Sequence, residues 1–199
     1  MPSTKTIGPR SIMPLHSKVV NVLLDRGAQI DAMTTSNWTG LHYAADNGHS
    51  EVVKVLLDKG ATPDTFDKQN WTALHYAAKN GHSEVANVLL DRIDAVTMQD
   101  STALHNAARN GHSEVVKVLL DKSTTPDAID KDNWTALHYA AKNGHSDLVN
   151  ILLDRGARID AVTTKNSTTL RKAARNGHCK VVKGLLDKGT TPDAIDKDN

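Results

Sequence analysis

Apolar positions in this chain fall into two short stripes that alternate along its length, separated by polar segments rich in turn formers. In Thr72–Gly81 (TALHYAAKNG), Leu74, Ala77, Ala78 and Gly81 stand at i, i+3, i+4 and i+7, one face of a helix, with Lys79 and Asn80 off that face. The stripe is made largely of small residues, which lets a neighbouring helix approach closely. In Ser50–Gly60 (SEVVKVLLDKG), a Ser-Glu helix start is followed by Val52, Val53, Val55, Leu56 and Leu57, and Gly60 suits a left-handed C-terminal cap. So broad an apolar face on so short a helix requires partners on more than one side. The segment that follows, ATPDTFDKQNW, carries Pro63, Asp64, Asp67 and Asn70. These residues suit turns, and Asn tolerates the left-handed conformation, so a finger-like hairpin projecting from the helices is expected.

The pattern repeats. WTALHYAAKNGHS occurs at Trp71–Ser83 and again, unchanged, at Trp134–Ser146. Gly-His pairs at Gly48-His49, Gly81-His82, Gly111-His112, Gly144-His145 and Gly177-His178 are separated by 33, 30, 33 and 33 residues, and His16 lies 33 before His49. Thr-x-Leu-His keeps the same beat at Thr39–His42, Thr72–His75, Thr102–His105 and Thr135–His138, and degrades at Thr168–Arg171. A catalytic site needs its residues once, so this recurrence predicts a repeated architecture in which each unit buries its face on the next.

A period of 33 with this content resembles the ankyrin repeat, a β-turn followed by two antiparallel helices, over roughly residues 15–199. The departures are Ala73, Gly40 and Thr169 where the family tetrad usually has proline, and Asn70, Asn133 and Asp100 where its turn usually has glycine. The resemblance implies an all-α fold, an ankyrin-repeat solenoid of stacked helix-turn-helix units with projecting β-hairpin loops. On this reading residues 1–14 form an N-terminal tail. The array covers 15–199, as a half unit 15–33 and units of about 34–66, 67–96, 97–129, 130–162 and 163–195. It also implies a protein-binding scaffold or adaptor that recognises a partner through the concave face formed by the hairpins and the exposed side of each first helix. Two alternatives stay open: a fragment of a larger multidomain protein, or an inhibitor that covers the surface of an enzyme or transcription factor, as ankyrin-type kinase inhibitors and Rel-factor inhibitors do.

A second periodicity overlies the first. Linkers of the type DRGAQIDAMTTSN and DRGARIDAVTTKN alternate with DKGATPDTFDKQNW and DKSTTPDAIDKDNW, as if a two-repeat block of about 66 residues had been duplicated. One linker, DRIDAVTMQDS, lacks the Gly-Ala-Arg that stands at Gly156–Arg158. Losing a capping glycine and nearly a helical turn is expected to shorten the second helix or tighten the hairpin there, distorting the stack near Arg92–Ser101, unless the deletion is a tolerated surface change. Both ends of the array look cut. In the last pair Arg171 and Lys172 replace His and Tyr, and Gly184 stands where Val55 and Val118 are expected in the core. Thr168–Gly189 contains six Lys or Arg against one Asp. This basic end either meets an acidic partner or is a decayed terminal repeat with a solvated face.

Composition adds mainly exclusions. A formal net charge of +1 over 199 residues gives no overall pull toward nucleic acid or an anionic membrane. No segment approaches a membrane span or a signal peptide's apolar core. The one cysteine, Cys179, suits a reducing compartment, so a cytoplasmic monomer is expected, with the nucleus or delivery into a host cytosol left open. The ten histidines all occupy the repeat's two histidine positions, His42, His75, His105 and His138 on one and His16, His49, His82, His112, His145 and His178 on the other. They are expected to hydrogen-bond backbone groups and tie each unit to its neighbour. No carboxylate or cysteine recurs at ligand spacing, and no phosphate loop, nucleophile elbow or paired-acid motif is present, so neither an enzyme nor a metal or cofactor is expected.

Candidate partner-binding residues follow from the repeat register. Trp38, Trp71 and Trp134 share one position, just after the hairpin asparagine, where the other two units have Ser101 and Ser167. Lys79, Arg109, Lys142 and Arg175 stand one per unit on the exposed side of the first helix, with Asp46 the exception. Either each indole packs on its own or the next hairpin, or the tryptophans and cations together form a binding face whose basic floor favours an acidic protein partner.

Overall fold

The computed structural model describes residues 17–92, 98–122 and 124–191, so the expected tail at 1–14 and His16 lie outside the described residues. Among the described residues there are eleven helices and no strand. The chain divides into two compact units, Met1–Ala95 and Val96–Asn199.

The first unit contains α1 (Ser17–Asp25), α2 (Gly40–Asp46), α3 (Ser50–Asp58), α4 (Ala73–Asn80) and α5 (Ser83–Leu90). The inner helices α2 and α4 pack on each other, α3 packs between α1 and α5, and α2–α3 and α4–α5 form helix pairs. The small-residue stripe does what its spacing predicts: Leu41, Ala44 and Ala45 of α2 and Leu74, Ala77 and Ala78 of α4 are buried. The wider apolar face of the outer helices, Val52, Val53, Leu56 and Leu57 with Val85, Ala86 and Leu89, completes the core.

The second unit contains α6 (Met98–Asn110), α7 (Ser113–Lys122), α8 (Ala136–Lys142), α9 (Ser146–Asp154), α10 (Thr169–Arg175) and α11 (Cys179–Asp187). Here α6, α8 and α10 form the inner row and α7, α9 and α11 the outer one. α6 has 13 residues, against 7 in α8 and 7 in α10. Residues 98–101 are helical at the positions that form the finger turn in other units. On the other side of the missing Gly-Ala-Arg, α5 has 8 residues where α3 has 9, so the outer helix is shorter by one residue, and 93–97 lie outside the described residues.

Each regular inner helix begins with the same reciprocal cap. Thr39, Thr72 and Thr135 are extended N-cap residues, and their N–H groups donate to Nδ1 of His42, His75 and His138 at 3.2, 3.1 and 3.2 Å. Thr-x-x-His is thus a capping box in which imidazole replaces the usual Glu or Gln. In α6 the equivalent Thr102 lies inside the helix and is exposed. The outer helices start at Ser50, Ser83 and Ser146 as expected, but the N-cap is the preceding histidine, His49, His82 or His145, and it makes no side-chain cap bond.

The fingers are short hairpin turns, as expected, with no regular strand on either side among the described residues. Each is closed by two backbone bonds: the N–H groups of Thr34, Asp67, Asp130 and Thr163 donate to the carbonyls of Trp38, Trp71, Trp134 and Ser167 at 2.9, 2.9, 3.0 and 3.2 Å, and the N–H groups of Asn37, Asn70, Asn133 and Asn166 donate back to Thr34, Asp67, Asp130 and Thr163 O at 2.9, 3.1, 3.0 and 2.9 Å. Asn37, Asn70, Asn133 and Asn166 hold the left-handed position, at φ 60, 58, 56 and 50°. So few residues flank each turn that no ladder develops beyond an isolated Val162–Thr168 bridge among the described residues. The spare backbone groups bond sideways instead. Lys68 N–H donates to Ser36 O at 3.2 Å and Thr164 N–H to Asp132 O at 3.0 Å, setting neighbouring fingers side by side within each unit.

Candidate functional site

The candidate face lies where the finger turn meets the inner helix. Asp67 is buried at the base of its finger, and one carboxylate oxygen accepts the N–H groups of Gln69 and Trp71 at 2.8 and 2.9 Å. The other oxygen accepts the Tyr76 hydroxyl at 2.5 Å. Asp130 repeats this with Asp132, Trp134 and Tyr139, the last at 2.6 Å. In the alternate fingers a threonine does the work: the Thr34 hydroxyl oxygen accepts from Ser36 and Trp38 N–H at 3.2 and 3.1 Å. Burial alone would raise the Asp67 and Asp130 carboxyls, but these hydrogen bonds outweigh it and hold both below the ordinary aspartate value. Burial and the accepting carboxylate push the Tyr139 hydroxyl up to about 12.

This anchoring fixes the aromatic rings. Tyr76 is buried between two indoles, with centroid distances of 4.5 Å to Trp38 and 5.2 Å to Trp71. In the second unit Trp134 lies 4.9 Å from Tyr139. Each indole also packs on the capping histidine of its own unit, Trp71 on His75 at 5.6 Å and Trp134 on His138 at 6.0 Å. All three tryptophans are therefore half-buried and packed on neighbouring rings, as the first of the two readings expects, and each keeps part of its surface exposed.

Cations lie over the rings. Lys79 Nζ is 5.6 Å from the Trp71 centroid and the Arg109 guanidinium 4.6 Å from Tyr139. Lys142 and Lys172 both sit over Trp134, at 5.3 and 4.5 Å. Three of the four cations chosen from sequence thus stand on aromatic rings. Arg175 is exposed at the end of α10. Lys172 was not among those cations, although it stands where three other repeats have Tyr43, Tyr76 and Tyr139 and the α6 repeat has Asn106. Tyr76, Tyr139, Asp67 and Asp130 were also passed over, since their pairing across nine residues is visible only once the turn is formed. In the first unit the face is less basic: Trp38, Asp46, Gln69, Trp71, Tyr76 and Lys79 line an open depression, and the Asp46 carboxylate accepts from Asn80 at 2.7 Å.

His42, His82, His105, His145 and His178 bind backbone of a neighbouring repeat, as expected. Because Nδ1 of His42 accepts from Thr39, Nε2 carries the proton and donates to Trp71 O at 3.2 Å; His105 does the same to Ala128 O at 2.9 Å. His138 differs, its Nε2 being buried without a hydrogen-bond partner. On the second position, Nε2 of His82, His145 and His178 bonds Asp46 O, Arg109 O and Lys142 O at 3.1, 3.0 and 2.8 Å. Burial pushes His75 and His138 down to about 4, and it lowers His42 and His105 as well. Among the described residues no group of three or more His, Cys, Asp or Glu converges in a way that could hold a metal ion, and no helix is long and apolar enough to cross a membrane.

The family description "Ankyrin repeats (3 copies)" matches residues 14–100 and 104–196. Among curated proteins no significant match is found. Among solved structures, the human ASB11 ankyrin repeat domain is 26% identical with a TM-score of 0.84, over 91% of this chain and 82% of that one. The ankyrin repeat domain of Bcl-3, described as a unique member of the IkappaB protein family, is 28% identical with a TM-score of 0.76, over 90% of this chain and 82% of its own.

Proposed function

The chain belongs to the ankyrin-repeat family, and on that premise we propose that it is a protein-binding scaffold whose contact face is the finger and inner-helix side of the array. Ankyrin repeats are in general protein-interaction modules, and the fold is not typically catalytic. The observation that carries the proposal is the layer of cations on aromatic rings: Lys79 on Trp71, Arg109 on Tyr139, and Lys142 with Lys172 on Trp134. Stacking holds these long side chains in place, so less rotamer entropy is lost when a partner binds them. Arg175 extends the same charge along the second unit. Such a face favours an acidic protein, and Trp38, Trp71 and Trp134 contribute the aromatic area that interface anchors commonly supply. The exposed, unpaired Cys179 supports placement in a reducing compartment such as the cytoplasm, and the scaffold is read as a monomer.

The test is affinity capture with wild type and with a variant carrying Lys79→Glu, Arg109→Glu, Lys142→Glu, Lys172→Glu and Arg175→Glu. A protein retained by wild type and lost from the variant, with helical circular dichroism unchanged, is the expected result. Retention of the same proteins by both places the contact elsewhere.

A further inference from the structure

Seven large apolar side chains are exposed among the described residues, and four of them occupy one position of the repeat. Met33, Phe66, Ile129 and Val162 are 50, 41, 53 and 46% exposed, each four residues before the left-handed asparagine of its finger. A single exposed apolar residue is ordinary, but its recurrence at the same place in every described finger makes an edge. The sideways backbone bonds, Lys68 to Ser36 and Thr164 to Asp132, make Met33 the neighbour of Phe66 and Ile129 the neighbour of Val162.

The same edge is lysine-flanked. Lys68, Lys131 and Lys165 are exposed on the fingers that carry Phe66, Ile129 and Val162. Of the finger carboxylates, Asp67 and Asp130 are taken up by Tyr76 and Tyr139, while Asp132 is exposed beside Lys131 and offsets part of its charge. In the second unit the inner helices add Arg109, Lys142 and Lys172.

We infer that the paired fingers of each unit form an apolar, lysine-flanked edge that docks an extended segment of a partner protein bearing apolar side chains at every third residue with acidic residues between them. The inference rests on the protein-binding reading above and specifies what is bound. Neighbouring repeats lie about 10 Å apart, and a segment in the extended polyproline II conformation rises about 3.1 Å per residue with three residues per turn, so residues i and i+3 share one face and meet adjacent fingers. Its acidic groups meet the finger lysines, which gives the charge complementarity. The second unit, with its more basic inner helices, binds such a segment more tightly than the first.

The full chain is used to select from a displayed library of random peptides long enough to cross two fingers. Binding of a selected peptide is then measured by fluorescence anisotropy. The comparison set is wild type, Met33→Ser/Phe66→Ser, Ile129→Ser/Val162→Ser, and the inner-helix variant Lys142→Ala/Lys172→Ala. Selected peptides are expected to carry apolar residues at i and i+3 with Asp or Glu between them. The Ile129→Ser/Val162→Ser pair is expected to weaken binding about tenfold or more. Because the substituted side chains are exposed, helicity stays unchanged. Peptides without this spacing, or equal affinity of wild type and both finger variants, overturn the inference. If in that case the Lys142/Lys172 variant still weakens binding, the protein-binding reading stands without the fingers; if it does not, both fail. Wild-type binding to phosphatidylserine vesicles with no peptide enriched would assign the edge to a membrane surface and also overturn it.

Discussion

His178 fills the space beside Gly144 of the preceding repeat: a Cβ on that glycine would lie 2.6 Å from the imidazole Nδ1, while Nε2 of the same ring bonds Lys142 O at 2.8 Å. Gly48 with His82 and Gly111 with His145 repeat the arrangement. The Gly-His pair that marks the period is therefore two halves of two contacts, each glycine receiving the histidine of the next unit.

That contact is separable from backbone strain. Gly144 and Gly156 both have positive φ, 78 and 86°, but nothing lies within 4 Å of a Cβ at Gly156. Gly156→Ala is expected to cost about 1–2 kcal/mol for the left-handed conformation alone, and Gly144→Ala about 2–4 kcal/mol because the ring must also move. Urea unfolding of the two variants measures the difference; equal losses would mean that the imidazole yields without cost.

Stability is expected to fall as the solution is acidified from pH 6.5 toward 4. Burial holds His75 and His138 near 4 in the folded chain, against 6.5 for an unburied histidine. Between those values the unfolded chain binds protons that the folded chain refuses, so stability is complete above pH 6.5 and declines below it. Each histidine contributes a slope of at most about 1.4 kcal/mol per pH unit. Asp67 and Asp130, held below 3.8, act in the same direction only at lower pH. Urea midpoints at pH 7 and pH 5 test this, and equal midpoints would contradict it.

The Tyr139–Asp130 bond predicts a measurable cost for removing one hydroxyl. Tyr139→Phe leaves a carboxylate oxygen at the base of the finger without the donor that it accepts at 2.6 Å, a loss of about 1–3 kcal/mol. The Asp130 pKa should rise in the variant because the hydroxyl helps to lower it. Carboxyl chemical shifts followed through a pH titration would show this; an unmoved Asp130 would mean that the Trp134 and Asp132 amides suffice.

Gly184 predicts a stabilising change in the last helix pair. Val55 and Val118, its equivalents, are half-buried rather than core residues, and a Cβ at Gly184 would meet only Asn150 Oδ1, at 3.9 Å. The gain available is therefore mostly helix propensity, about 1 kcal/mol for Gly184→Ala, with less from valine than a core site would give. A rise in Tm of about 2–4 °C is expected by calorimetry, and a fall would show that the helix needs the glycine.

The sequence alone determined the repeat, its two helices and the residues that punctuate them, because these depend on spacing and local backbone preference. Leu74, Ala77 and Ala78 could face inward only as a helix, and Asn70 and Gly60 could take positive φ at little cost. The interlocking role of the histidines was also legible, since residues recurring in every unit serve the units. Tertiary structure decided the rest. How far an indole is covered depends on which rings the fold brings to it: Trp38 packs on Tyr43 of its own repeat and also on Tyr76, 38 positions away. The 13-residue α6 replaced a finger turn that the missing residues no longer supported, an outcome set by local geometry that a deletion in a sequence does not specify. Met33, Phe66, Ile129 and Val162 share no identity that a pattern search would notice, and only their common exposure on adjacent fingers, a consequence of sideways hydrogen bonding between turns, makes them one surface.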